Sequence, residues 1–245
     1  MSFLDFKLDL ARAITEQLVE HFNSIGQSEL SIDRVSEAGN MPGVYMLYHQ
    51  SRLVYVGKSD SNLRGRLERH YKSICGRLNI AVKNISFKAI RLDKNWSALT
   101  TESALIEHYD QPDWNNSGFG SNDPGRRRDS TVLKPDSFDA RYPINTQLKL
   151  TVPVGQYTSW ELLNHIKQEL PYLLRFKKDG CRKILTKTQV DVLSGNQTVE
   201  DLIILVAKSL GENWQATALA GRILLYPEKV KYEYGIILWP SRNVS

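Results

Sequence analysis

Apolar and polar positions alternate along this chain with two periods, and the period changes mark its elements. Leu10, Ile14, Leu18 and Phe22 recur at helical spacing, which predicts an amphipathic helix over residues 3–25. Glu37-Ala38-Gly39-Asn40-Met41-Pro42-Gly43 breaks the pattern and reads as a loop. Strand-like runs follow at 44–48 and 53–57, joined by His49-Gln50-Ser51-Arg52, the pattern of a β-hairpin. Leu63, Leu67, Tyr71 and Ile74 then return to helical spacing, predicting a helix over 62–74 capped by Ser61 or Asn62. A third strand is expected at 85–92. A helix over 97–109 stops ahead of Pro112.

Residues 114–125 form a polar, glycine-rich stretch, and composition shifts again near 141–144. Beyond it strands are expected at 148–152, 223–226 and 234–239. Helices are expected at 159–170 and 198–210, the second opened by Thr198 and Asp201 in the manner of a capping box. No internal repeat stands out by inspection. The pattern is that of an α+β protein. It divides into an N-terminal helical segment (1–41), a central domain ending in a long polar loop (42–143) and a C-terminal α+β region of open role (144–245).

Composition narrows the class. With 41% hydrophobic residues in a 245-residue chain there is enough apolar surface for a core, and no run is long enough to span a membrane. Two cysteines, Cys75 and Cys181, lack metal-ligand spacing and suit reduced thiols. No signal peptide is visible, and a cytoplasmic location is expected. The net charge of +5 is a mild basic bias. Its distribution is more informative: Arg64, Arg66, Arg69, Lys72 and Arg77 fall in one stretch, and Arg126, Arg127 and Arg128 form a run.

Several residues suit chemistry as well as packing. Tyr45 and Tyr55 stand on the hairpin, where tyrosine is common in any case, yet a phenol in a charged setting can transfer a proton. Arg66 and His70 lie four apart on one helix face, either as a solvated basic face or as a phosphate-facing pair. Glu102 falls inside the Leu99–Ile106–Tyr109 stripe, where a carboxylate requires an arginine partner or a hard cation. Asn115, or its neighbour Asn116, follows Trp114 past the helix end. Gly57 allows close backbone approach, and Lys58 can meet a phosphate. His21, His49, His108 and His165 show no such grouping.

Taken in order, Gly43-Val44-Tyr45, Tyr55-Val56-Gly57-Lys58, the helix from Leu63 to His70, Glu102 and Trp114-Asn115 resemble the GIY-YIG nuclease superfamily. The likeness covers about residues 42–116, and it looks most like the type II restriction endonuclease branch, whose members cut GC-rich palindromes such as CCGCGG. The resemblance implies a small mixed sheet flanked by helices and a site built from Tyr45, Tyr55, Arg66, His70, Glu102 and Asn115. It further implies Mg²⁺ or Mn²⁺ on Glu102, and hydrolysis of double-stranded DNA to 5′-phosphate and 3′-hydroxyl ends by a homodimer. Lys58, Arg64, Arg126, Arg127 and Arg128 are the expected phosphate and DNA contacts. A structure-selective repair nuclease and a non-catalytic DNA-binding module of a defence system are the alternatives.

Overall fold

The computed structural model describes residues 7, 9–99, 102–120 and 133–240. The chain divides into two compact units: residues 1–74 with 80–121, and residues 75–79 with 122–245. Among the described residues no helix is long and apolar enough to cross a membrane.

The first unit contains α1 (Leu10–Ser24), β1 (Ser28–Glu29), α2 (Ile32–Ser36), β2 (Gly43–His49), β3 (Arg52–Ser59), α3 (Leu63–Cys75), β4 (Ile85–Arg91), α4 (Lys94–Leu99) and α5 (Glu102–His108). Its sheet has the order β1-β4-β2-β3, and each pairing is antiparallel. Gln50 and Ser51 both have positive φ, as a two-residue hairpin turn requires, which closes β2 onto β3 in the expected place. On one face Val44, Met46 and Val56 pack with Leu18 and Phe22 of α1 and Leu105 of α5. Alternation sends Tyr45 to the opposite face, where α3 lies. Asn62 caps α3 by accepting the Gly65 N–H at 2.7 Å.

Within the helix expected over 97–109, helical residues are described up to Leu99 (α4) and from Glu102 to His108 (α5), with residues 100 and 101 outside the described set. Leu99 is 43% exposed, which corrects the stripe argument for Glu102: Leu99 does not belong to a buried stripe. Glu102 stands half-buried beside the end of β3.

The second unit contains α6 (Phe138–Arg141), β5 (Lys149–Thr151), β6 (Gly155–Thr158), α7 (Ser159–Glu169), β7 (Leu173–Phe176), α8 (Arg182–Lys187), β8 (Gln189–Val192), β9 (Asn196–Thr198), α9 (Val199–Leu210), β10 (Gln215–Leu219), β11 (Arg222–Tyr226) and β12 (Ile236–Trp239). A mixed sheet has the order β12-β10-β11-β7, with β11 and β7 parallel.

This half carries a duplication that inspection of the sequence misses. Residues 149–170 align with 189–210 without a gap, at a constant offset of forty positions. Val152, Gly155, Thr158, Leu162 and Leu170 recur as Val192, Gly195, Thr198, Leu202 and Leu210. Both helices open with a complete capping box, Thr158 with Glu161 and Thr198 with Asp201. The pairing is exchanged: β5 of the first copy pairs with β9 of the second, and β6 with β8. Thr151 faces Asn196 while Gln156 faces Asp191, and those are equivalent pairs with the copies swapped. The two copies are thus related by a pseudo-twofold axis, and each buries the same positions in one core.

Candidate functional site

In the first unit β2 and α3 bring three chemical groups together. The Tyr45 side chain is fully buried, with its hydroxyl 2.8 Å from Nε2 of His70. Nε of Arg66 donates to the same hydroxyl at 3.2 Å. An arginine only donates, so the phenol proton is free to point at Nε2, which then accepts. Burial, followed by the charges of Arg66 and Arg69, pushes the His70 imidazole down to about 3. The ring is therefore neutral at neutral pH. Burial, and then Tyr55 beside it, raise the Tyr45 phenol above its usual range against the pull of Arg66. The result is a hydrogen-bonded chain, Arg66 to Tyr45 to His70, that ends on an unprotonated imidazole.

The reading of Arg66 and His70 as a solvated basic face needs correction for His70, which is 3% exposed. Its ring is enclosed by Tyr45 (centroids 5.5 Å apart), Tyr55 (5.3 Å) and Phe119, which stacks at 4.8 Å. Burial also raises the Tyr55 phenol, with Arg66 opposing.

Gly57 is the register partner of Tyr45 across the hairpin. A Cβ at that position would collide with the Tyr45 ring and hydroxyl and come within 2.7 Å of Tyr55. The glycine is thus a steric requirement of the tyrosine pair rather than of the turn.

Glu102 lies close enough to Arg66, Lys58 and Tyr45 to interact with each. Burial raises its carboxyl above the usual carboxylate range, opposed by the Arg66 charge, by a hydrogen bond from the Lys58 backbone N–H and by the Lys58 charge. Lys58 itself is ion-paired with the exposed Asp60 at 2.9 Å. No cluster of three or more His, Cys, Asp or Glu side chains occurs among the described residues. Its donor set nonetheless suits a hard divalent cation of the kind held by one carboxylate together with water and phosphate oxygens.

Asn115 contributes differently from its neighbours. Its Oδ1 accepts the Val56 N–H at 2.9 Å and its Nδ2 donates to the Val56 carbonyl at 2.7 Å. Because β3 is the edge of the sheet, these two groups have no strand partner, and the amide satisfies both. Trp114 extends the clamp, its N–H donating to the Val54 carbonyl at 2.8 Å. Asn115 therefore positions the strand carrying Tyr55 and Lys58. Asn116 instead donates to Gln111 at 2.9 Å.

Other expected contacts lie elsewhere. Arg64 is ion-paired with Glu68 at 2.7 Å on the exposed side of α3, away from Tyr45. Arg77, in the second unit, is spent on Asp139 at 2.7 Å and on the Tyr142 carbonyl, and its side chain is 8% exposed. Arg126, Arg127 and Arg128 lie outside the described residues. Two participants escape a reading of the sequence: Phe119, stacked on His70, and Gly120, whose carbonyl accepts the Arg66 Nη2–H at 3.0 Å. Gly120 has φ +68°, and a Cβ there would press on Tyr55 and His70.

Residues 49–140 match the Eco29kI GIY-YIG domain family, a stretch that includes Tyr55, Arg66, His70, Glu102 and Asn115 and begins four residues after Tyr45. No curated protein matches the chain. Residues 49–140 belong to the GIY-YIG nuclease superfamily.

Proposed function

We propose that the chain is a site-specific double-stranded DNA endonuclease of the type II restriction kind, dependent on Mg²⁺ or Mn²⁺. The observation that carries this reading is the Arg66–Tyr45–His70 chain with Glu102 beside it. A binding module has no need of a neutral imidazole waiting behind a phenol.

Water attacks the scissile phosphorus in line. The Tyr45 oxygen takes the proton of that water as its own proton passes to Nε2 of His70. Arg66 exchanges its bond to the Gly120 carbonyl for a phosphate oxygen and faces the charge that develops there. Tyr55 and Lys58 hold the phosphate, and Asn115 keeps their strand in place. Glu102 would hold the divalent ion, which supplies neutralisation of charge on the phosphate and the leaving 3′ oxygen. The products are a 5′-phosphate and a 3′-hydroxyl. Arg126, Arg127 and Arg128 would contact DNA, and a twofold dimer would cut both strands of a palindrome, with CCGCGG the first to be tried.

The test is incubation of long linear DNA with Mg²⁺, beside an EDTA control and Glu102→Gln. Discrete fragments with 5′-phosphate ends, lost in both controls, are expected. Equal cleavage by Glu102→Gln would overturn the metal assignment. Cleavage of branched DNA alone would overturn the site-specific reading in favour of a repair nuclease.

A further inference from the structure

Resting on the DNA-directed reading above, we propose that residues 175–187 of the second unit, together with Trp160, form an additional surface that holds the phosphate backbone of double-stranded DNA. The segment carries Arg175, Lys177, Lys178, Arg182, Lys183 and Lys187 against a single acid, Asp179. Lys178, Arg182, Lys183 and Lys187 are exposed and join no ion pair among the described residues. Arg12, Arg34 and Arg64 of the first unit each pair with a glutamate one helical turn away, while Arg69 and Arg91 are exposed and join no ion pair among the described residues.

Two of these cations are ordered without being neutralised. The Arg182 guanidinium lies 4.5 Å from the Trp160 ring centre. Lys178 Nζ lies 5.5 Å from Trp160 and 5.1 Å from Phe176, and those two rings meet edge to face at 5.9 Å. Aromatic contact fixes the heads while leaving their charge available, so less side-chain freedom is lost on binding a phosphate.

Local helix physics points the same way. Arg182 and Lys183 occupy the first turn of α8, where cations oppose the helix dipole. The neighbouring helices place acids there, Glu161 in α7 and Glu200 with Asp201 in α9. A sequence shaped by stability alone would do likewise in α8. The Trp160 face is taken up by Arg182 and Lys178, which leaves no platform for stacking unpaired bases and favours duplex backbone over single strands.

The experiment is fluorescence anisotropy of the full chain on a labelled 30-base-pair duplex in EDTA, over salt from about 50 to 200 mM. Lys178→Gln/Arg182→Gln/Lys183→Gln is compared with Lys229→Gln/Lys231→Gln from elsewhere in the same unit. Each lost phosphate contact lowers the slope of log affinity against log salt by about 0.9, so the triple variant should lose up to about 2.7, on any duplex sequence, at an unchanged melting temperature. A slope and affinity equal to wild type, or an equal loss in the Lys229/Lys231 variant, would overturn the surface. So would a wild-type chain that binds single strands, RNA or acidic peptide in preference to duplex. Binding needs no cleavage, so the two readings fail separately. A slope loss without any nuclease activity keeps the surface and removes the endonuclease; cleavage with an unchanged slope does the reverse.

Discussion

Tyr45→Phe deletes one oxygen and leaves the ring in place, so it isolates the proposed relay. That oxygen holds two hydrogen bonds, at 2.8 Å to His70 and 3.2 Å from Arg66. Arg66 keeps its bond to the Gly120 carbonyl, whereas Nε2 of His70, in a side chain 3% exposed, loses its partner. An unsatisfied buried polar group costs about 1–3 kcal/mol, and that is the expected loss in a denaturant titration. The effect on rate is larger. Positioned proton transfer is worth roughly 100- to 10,000-fold, equivalent to about 3–5.5 kcal/mol of barrier. Single-turnover cleavage at saturating DNA measures it directly, well below the unfolding transition. His70→Phe should cost a similar factor, and the double variant should be little slower than either single one, because both act in one relay. A Tyr45→Phe rate within about threefold of wild type, or losses that multiply in the double variant, would refute the relay.

Three other outcomes follow from the same geometry. Asn115→Ala should lower stability by about 1–3 kcal/mol, read by chemical denaturation, because the Val56 N–H and carbonyl lose their clamp; Asn115→Asp, which keeps only the acceptor, should fall between. Gly57→Ala should cost roughly 1–3 kcal/mol through overpacking and should slow cleavage as much as Tyr45→Phe, since the new Cβ displaces the Tyr45 ring. The third concerns pH. His70 binds its proton more weakly folded than unfolded, so its contribution is complete above the unfolded value of 6.5 and is lost as pH falls toward about 3. Stability should therefore drop by about 1.4 kcal/mol per pH unit through that window, and His70→Gln should flatten the slope.

Much of the first unit was legible because its elements are short, periodic and bounded by strong breakers. The hairpin, α3 and β4 fall within a residue or two of where alternation and helical spacing put them. Tyr45, Arg66 and His70 meet because period two on a strand and a four-residue step on a helix both fix a face. Partnership was less visible. Nothing in the sequence says that Asn115 spends its whole amide on Val56, since a sheet edge is a property of strand order. Phe119 and Gly120 sit in an irregular loop whose path no periodicity encodes. The Glu102 stripe failed because helical spacing does not say which apolar residues are covered, and Leu99 is exposed. The duplication hid because its conserved positions are ordinary, a glycine, a capping threonine and leucines, while helix faces such as Asn164-His165 and Ile204-Leu205 diverged.

That duplication has a consequence for how the second half comes into being. In a tandem array of independent domains each copy closes its own hydrogen bonds and can persist alone. Here β5 and β6 have no strand partner within their own copy, because every bond across those pairs is lent by the other. A chain stopped after Lys187 would leave Leu150 and Val152 uncovered and two ladders empty. The only remedy open to it is a second molecule of itself, arranged about the axis that now runs through one polypeptide. The present unit is in that sense a dimer fused into a monomer, obliged to fold as a whole or not at all.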